Sequence, residues 1–201
     1  MSKLANEFER RLIEIRAVES TDEKMIIEGY AITFDKPATH QYGSRKFTET
    51  IKKGALDKTD MKDVPMRYNH NDTWLIIART RNKSLKLTVD DVGLKIEAEL
   101  LDTQSNRDVY KAIKAKLIDK MSFAFRVADG GDTWTFGENE TVREVTNIAK
   151  LWDVSVVDTP FYDSTSIYTR SFELLESEEK RLESLNEVEL LKQKIKLKGK
   201  M

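Results

Sequence analysis

The chain of 201 residues contains no cysteine. That absence removes disulfides, thiol nucleophiles and thiolate metal sites together. Histidine is almost as scarce. His40 and His70 are the only two, and neither lies in an H-E-x-x-H context, which argues against a zinc-type site. An excess of one charge is also missing. Lys and Arg number 34 against 35 for Asp and Glu, a formal net charge of -1. The chain therefore has no electrostatic footprint for nucleic acid or an anionic membrane. No apolar run is long enough to span a bilayer, and the opening "MSKLANEFER" lacks the apolar stretch of a signal peptide. Cytoplasmic residence is the expectation that follows. Neither a P-loop nor a G-x-G-x-x-G occurs, so phosphate or dinucleotide cradling has no support and no cofactor is expected.

The length fits one domain plus an appendage, with enough chain to bury a real core. Alternation predicts strands in "RLIEIRAVES" and "KMIIEGYAITF", with Thr21 and Asp22 as turn material between them. Residues 35 to 51, with Pro37, Gly43 and clustered polar side chains, read as a long loop. "KKGALDKTDMKD" offers a short helix before Pro65. A run of strands follows in "DTWLIIARTRN", "SLKLTVD" and "GLKIEAELL", with turns at Asn82 and at Asp90 to Gly93. The best helix of the main domain is 102 to 120, where Val109, Ile113 and Leu117, joined by Ala112, recur at helical spacing behind Thr103 or Ser105 as caps. "KMSFAFRV" is a strand, Gly130-Gly131 a turn, and two or three strands lead on to Pro160. Many strands with one or two helices predict a mainly β, α+β domain, mostly antiparallel, built as a barrel or sandwich with helices packed outside.

After Arg170 the composition changes. Residues 171 to 201 contain no proline, carry acids in the first half and lysines in the second, and so suit a charged helix and its dipole. Leu182, Leu185, Val188 and Leu191 form a narrow apolar stripe on it. This gives a domain of residues 1 to 170 and an extension of 171 to 201. The extension is either a terminal helix docked on the domain or a partner-binding segment that leaves during maturation.

Three side chains stand out chemically. In "KMSFAFRV" the residues Met121, Phe123, Phe125 and Val127 alternate as a core-facing row, and Ser122, Ala124 and Arg126 form a second face with little bulk. A serine hydroxyl becomes a nucleophile only with a base in hydrogen-bond reach and a third group to orient that base. His70, in "MRYNHND", is the candidate base, since imidazole titrates near neutrality. His40 reads as an exposed loop residue. Among the acids, Asp153 is conspicuous inside the apolar "LWDVSVV". A buried carboxylate there needs a partner, whether the imidazole or an arginine. Alternation puts Leu151, Asp153, Ser155 and Val157 on one face, which makes Ser155 the competing nucleophile.

The order of these segments resembles the prohead proteases of tailed phages. "IIEGYAITFDKPAT" resembles that family's opening strand and turn, "GALDKT" its short helix and "VPMRYNHND" its histidine motif. "LTVDDVGLKIEAELLDTQSNRDVYKAIKAKLIDKMSFAF" resembles its strand, helix and serine motif, and "LWDVSVVDTPFYDST" its closing strand. The resemblance covers approximately Leu12 to Arg170. It implies a serine endopeptidase with an assemblin-like antiparallel β-barrel surrounded by helices. It implies His70 as base, Ser122 as nucleophile and Asp153 as third member, where the herpesvirus enzymes use a second histidine. It further implies action on the phage major capsid protein precursor and its scaffolding segment, self-cleavage, and a place inside the immature prohead in the host bacterial cytoplasm. Self-association is a further expectation from the same analogy. The chain departs from the family at Ala124, where glycine is frequent, and in "LIIART", where a glycine is common. A non-enzymatic scaffold or assembly chaperone that binds coat protein through the terminal helix is the alternative from another class.

Overall fold

The structure is a computed structural model and describes residues 9–18, 24–42 and 45–158, together with scattered positions between 180 and 192. The described elements are β1 (Glu9–Val18), β2 (Met25–Thr33), β3 (Ala38–Tyr42), β4 (Arg45–Ile51), β5 (Pro65–Tyr68), β6 (Ala78–Arg79), β7 (Leu85–Val89), β8 (Gly93–Leu100), α1 (Gln104–Lys114), β9 (Lys120–Val127), β10 (Asp132–Phe136), β11 (Glu140–Val145) and β12 (Ile148–Val157). The chain divides into two units, Met1–Pro160 and Phe161–Met201. In the second, the described positions between 180 and 192 are helical, with Leu185 and Val188 exposed. Leu182, Leu191 and the expected boundary at Arg170 lie outside the described residues. No helix among the described residues is long and apolar enough to cross a membrane.

The first unit is mainly β, and two open sheets take the place of the expected antiparallel barrel. An eight-stranded sheet runs β6-β5-β12-β9-β1-β2-β8-β7, and a four-stranded sheet runs β10-β11-β4-β3. Each contains one parallel pair, β12 with β5 and β11 with β4. The edge strands of the larger sheet, β6 and β7, are joined by the turn at 80–84, yet no ladder closes between them. A single helix, α1, accompanies the described strands of this unit instead of a surrounding layer.

The core lies on one face of the larger sheet, where Ile27, Ile96, Phe123, Phe125, Leu151 and Val154 are fully or almost fully buried. Burying each such side chain contributes roughly 1.5–3 kcal/mol. The rings of Phe123 and Phe125 stack at 5.2 Å. Helix α1 adds Val109 and Ile113 to this core, packing beside β1 and β2. Its start follows the sequence, because the Asn106 amide donates to the Thr103 hydroxyl at 3.3 Å. Its end does not. The helix is capped at Ala115, Lys116 takes φ 57°, and Leu117 points to solvent, leaving the expected apolar row one residue short.

Three other segments depart from the pattern-based reading, each for a local reason. Residues 38–42 and 45–51 form the paired strands β3 and β4 instead of a loop. The strand was hidden because its buried position 49 holds a glutamate, whose Oε2 accepts a 3.0 Å bond from Arg143 Nη1. Arg143 also donates from Nε to Asp132 at 2.7 Å and lies over the Trp134 ring, so the two buried charges are compensated. In "GALDKT" the expected helix is a chain of tight turns. Gly54 has φ 91°, and the Ala55 carbonyl accepts from the Ile148 amide at 2.8 Å and from the Thr59 hydroxyl at 3.4 Å, in place of a helical amide. In "DTWLIIARTRN" only Ala78 and Arg79 join a sheet. The Asn71 side chain accepts from the Thr73 amide and hydroxyl, which turns the chain away from the ladder and leaves Trp74, Leu75 and Ile76 exposed.

Two features of this frame can be tested. A Cβ on Gly93 would lie 1.8 Å from the Ile32 carbonyl oxygen, at the irregular register between β2 and β8. Gly93→Ala should therefore lower stability by about 1–3 kcal/mol or more, read as a lower urea midpoint with an unchanged m-value. At the end of β5, the Tyr68 hydroxyl donates to Asp158 at 2.5 Å, fastening the exit of β12. Burial, and then this bond, push the Tyr68 phenol up to about 12. A folded-state value above the ordinary phenol, roughly 10, means that this contribution is complete below pH ~10 and is lost as pH rises toward 12. The stability difference between the native chain and Tyr68→Phe should be larger at pH 9 than at pH 11. Equal differences at the two pH values would show that the phenol is not held this way.

Candidate active site

The site is built on three neighbouring strands, β5, β12 and β9. Strand β12 lies between the other two, parallel to β5 and antiparallel to β9. Its register against β9 contains two bulges. Phe125 faces Leu151, and the next pair is Ala124 with Asp153, so Trp152 is the extra residue. A bulge reverses the alternation of side chains beyond it. Leu151 consequently joins Phe125 and Val154 on the core side, and Asp153 and Ser155 lie on the opposite side with Ala124 and Ser122. The expectation that Leu151 and Asp153 share a face is thereby corrected. Trp152 is left partly exposed, with the Lys150 ammonium 4.2 Å from its ring centroid.

His70 comes to this face from the end of β5. The Asn69 amide donates to the Val156 carbonyl at 2.9 Å, extending the contact of β5 with β12 by one residue. The chain then turns sharply, with φ 51° at Asn69 and 52° at His70. Positive φ at consecutive non-glycine residues is uncommon and persists where surrounding contacts enforce it. Those contacts are visible. Asn69 Oδ1 accepts from the Asp158 amide at 3.2 Å, Arg67 Nη1 donates to the Asn71 carbonyl at 3.2 Å, and the His70 amide donates to Ser155 Oγ at 3.2 Å.

The imidazole is almost fully buried and lies beside Asp153. Nδ1 of His70 and Oδ1 of Asp153 are 2.6 Å apart, and Ser155 Oγ donates to the same Oδ1 at 2.9 Å. Ser155 Oγ is also 3.2 Å from His70 Nδ1. Directly opposite Ser155 in the β9–β12 ladder stands Ser122. Facing residues of an antiparallel pair project to the same side with Cβ atoms about 4.5–5.5 Å apart, so Ser122 projects to the side of the sheet that holds Ser155, Asp153 and His70. The side chains across from Asp153 and next to Ser122 are kept small by Ala124. The second face of β9, read from sequence as having little bulk, is covered at Ser122 and Ala124, each 0% exposed, and open at Arg126.

Among the described residues, two buried side-chain polar atoms have no hydrogen-bond partner: Nε2 of His70 and Oγ of Ser122. Leaving a buried polar atom unpaired costs about 1–3 kcal/mol, so two such atoms in one cluster call for a purpose. With Nδ1 committed to a carboxylate, the neutral ring carries its proton there and its lone pair on Nε2. The cluster thus contains an oriented proton acceptor and an undirected hydroxyl. His70, Ser122 and Asp153, separated by up to eighty-three positions in the chain, are brought to one side of one sheet. His40 is not, since it lies in β3 of the other sheet opposite Phe47. Among the described residues no three His, Asp or Glu side chains converge as metal ligands. The sequence reading named Ser155 only as a rival nucleophile and missed its bonds to both His70 and Asp153. Its i, i+2 spacing from Asp153 on a strand was the available signal.

Comparison with known proteins identifies a family. A family model of the caudovirus prohead serine proteases matches residues 11–180, and the chain belongs to that family. No curated protein and no solved structure matches it significantly.

Proposed function

We propose that this member of the prohead serine protease family is an endopeptidase in which Ser122 attacks, His70 moves the proton and Asp153 holds the imidazole. The observation that carries the reading is the pair of unpartnered buried atoms, His70 Nε2 and Ser122 Oγ, in a family whose chemistry needs a serine. In the first step Nε2 takes the Ser122 proton as Oγ bonds to the substrate carbonyl carbon, giving a tetrahedral intermediate. Nε2 then gives that proton to the departing amine as the C–N bond breaks, leaving an acyl-serine. Water repeats the sequence, with His70 taking its proton and Ser122 recovering one when the acyl group leaves. Asp153 holds the ring in place and stabilises the imidazolium that forms twice in the cycle. Because Ser122 is fully buried, the cover over its hydroxyl has to open when a substrate strand binds.

The substrate class we assign is the phage coat-protein precursor, cut at its scaffolding segment inside the immature prohead in the host cytoplasm, together with the enzyme's own ends. The extension of 171–201, rich in acids and then in lysines, suits a segment for packaging or self-cleavage that follows a protease domain of 1–170 in the chain.

Co-expression with the coat precursor tests the assignment. The native chain should shorten the coat protein and its own termini. Ser122→Ala and His70→Ala should leave both at full length, with rates lower by at least about 10²–10⁴-fold. Normal trimming by Ser122→Ala would end the hydrolase reading. If assembly fails on deletion of the residues after Arg170 but is untouched by the Ser122 and His70 changes together, the protein is a scaffold or chaperone.

A further inference from the structure

We infer that Ser155 is a positioning residue, which locks His70 in the tautomer with its proton on Nδ1 and is not an alternative nucleophile; this rests on the catalytic roles proposed above. Proton bookkeeping in the cluster leads to it. The 2.6 Å approach of Nδ1 to Asp153 Oδ1 needs a proton between the two atoms, since two lone pairs cannot face each other so closely. Imidazole supplies it. The single proton of Ser155 is directed at the same Oδ1, at 2.9 Å. Its oxygen then has only lone pairs to offer, one to the His70 amide N–H at 3.2 Å and one to the flank of Nδ1–H, also at 3.2 Å.

Two consequences follow from that count. Ser155 faces the protonated ring nitrogen, which cannot accept its hydrogen, and its other neighbour is a carboxylate, a much weaker base than imidazole. The hydroxyl is therefore satisfied and unactivated, whereas Ser122 across the ladder is neither bonded nor directed. Ser155 also holds His70 at two points, the backbone amide and the ring. The amide contact captures a residue at φ 52°, and the ring contact favours Nδ1–H over Nε2–H. Loss of the hydroxyl would release both. Ser155 is 0% exposed, so water does not stand ready to replace it.

The test uses the full chain, ¹⁵N-histidine labelling and a fluorophosphonate probe. With only two histidines in the sequence, the imidazole spectrum holds two ring systems, and His40→Gln identifies that of His70. The native chain should show one protonated nitrogen, Nδ1, in the neutral His70 ring and should take the probe on Ser122. In Ser155→Ala the His70 signals should move toward a tautomer mixture, and labelling of Ser122 should slow about 10–100-fold, the usual effect of losing a group that orients a functional ligand. Ser155→Thr, which keeps the hydroxyl, should restore both. Native labelling together with a native imidazole pattern in Ser155→Ala would overturn the inference. Labelling that persists in Ser122→Ala and vanishes in Ser155→Ala would make Ser155 the nucleophile and overturn the proposed catalytic roles as well. If the native chain takes no probe, the hydrolase reading fails by itself, and the tautomer spectra of the native chain and Ser155→Ala still decide the role of Ser155.

Discussion

The hydrogen bond between His70 Nδ1 and Asp153 Oδ1, closed at 2.6 Å in a buried place, is the interaction on which the rest of the site depends. It exists because of a defect in a ladder. Without the extra residue at Trp152, strict alternation along β12 would keep Asp153 on the same side as Leu151, and one of the two would be misplaced. The bulge lets one strand contribute Leu151 and Val154 to the core and still deliver Asp153 and Ser155 to the opposite face. The parallel neighbour β5 then ends where its next residues, Asn69 and His70, can fold over that face.

Burial gives this arrangement its chemical meaning. In a buried site, an oriented carboxylate acts on the imidazole with little screening. The same burial leaves Nε2 and the Ser122 hydroxyl without partners, a cost that a purely structural core would have removed by packing apolar groups there. The surrounding frame is arranged to hold this cost. The Asn69 amide is tied to β12, Tyr68 to Asp158, and the stacked rings of Phe123 and Phe125 fix β9 from the core side.

Much of this was readable from residue order. The alternation in β2, β7, β8 and β9 and the cap at Thr103 were visible, because one-sided burial imposes a period of two on strands and the free amides of a helix start select hydroxyl residues. The pairing of β3 with β4 was not legible, because Glu49 is buried there against Arg143, a partner ninety-four positions away. An apolar run misled in the other direction at Trp74–Ile76, where a local Asn71 turn prevails over strand propensity. The closed antiparallel barrel inferred from family likeness also gave way, since strand order and direction depend on contacts that motifs do not encode.

By itself the sequence determined the inventory: no thiol, two imidazoles, and a serine and an aspartate each set in an apolar strand where a polar group needs a reason. Family order along the chain then singled out His70, Ser122 and Asp153. Only the tertiary structure decided which side of the sheet each one occupies, and that Ser155 binds both His70 and Asp153. The physical reason is that a strand's facing is set by its register against a neighbour, and a one-residue bulge in that register reverses it without leaving a mark in the local pattern of residues.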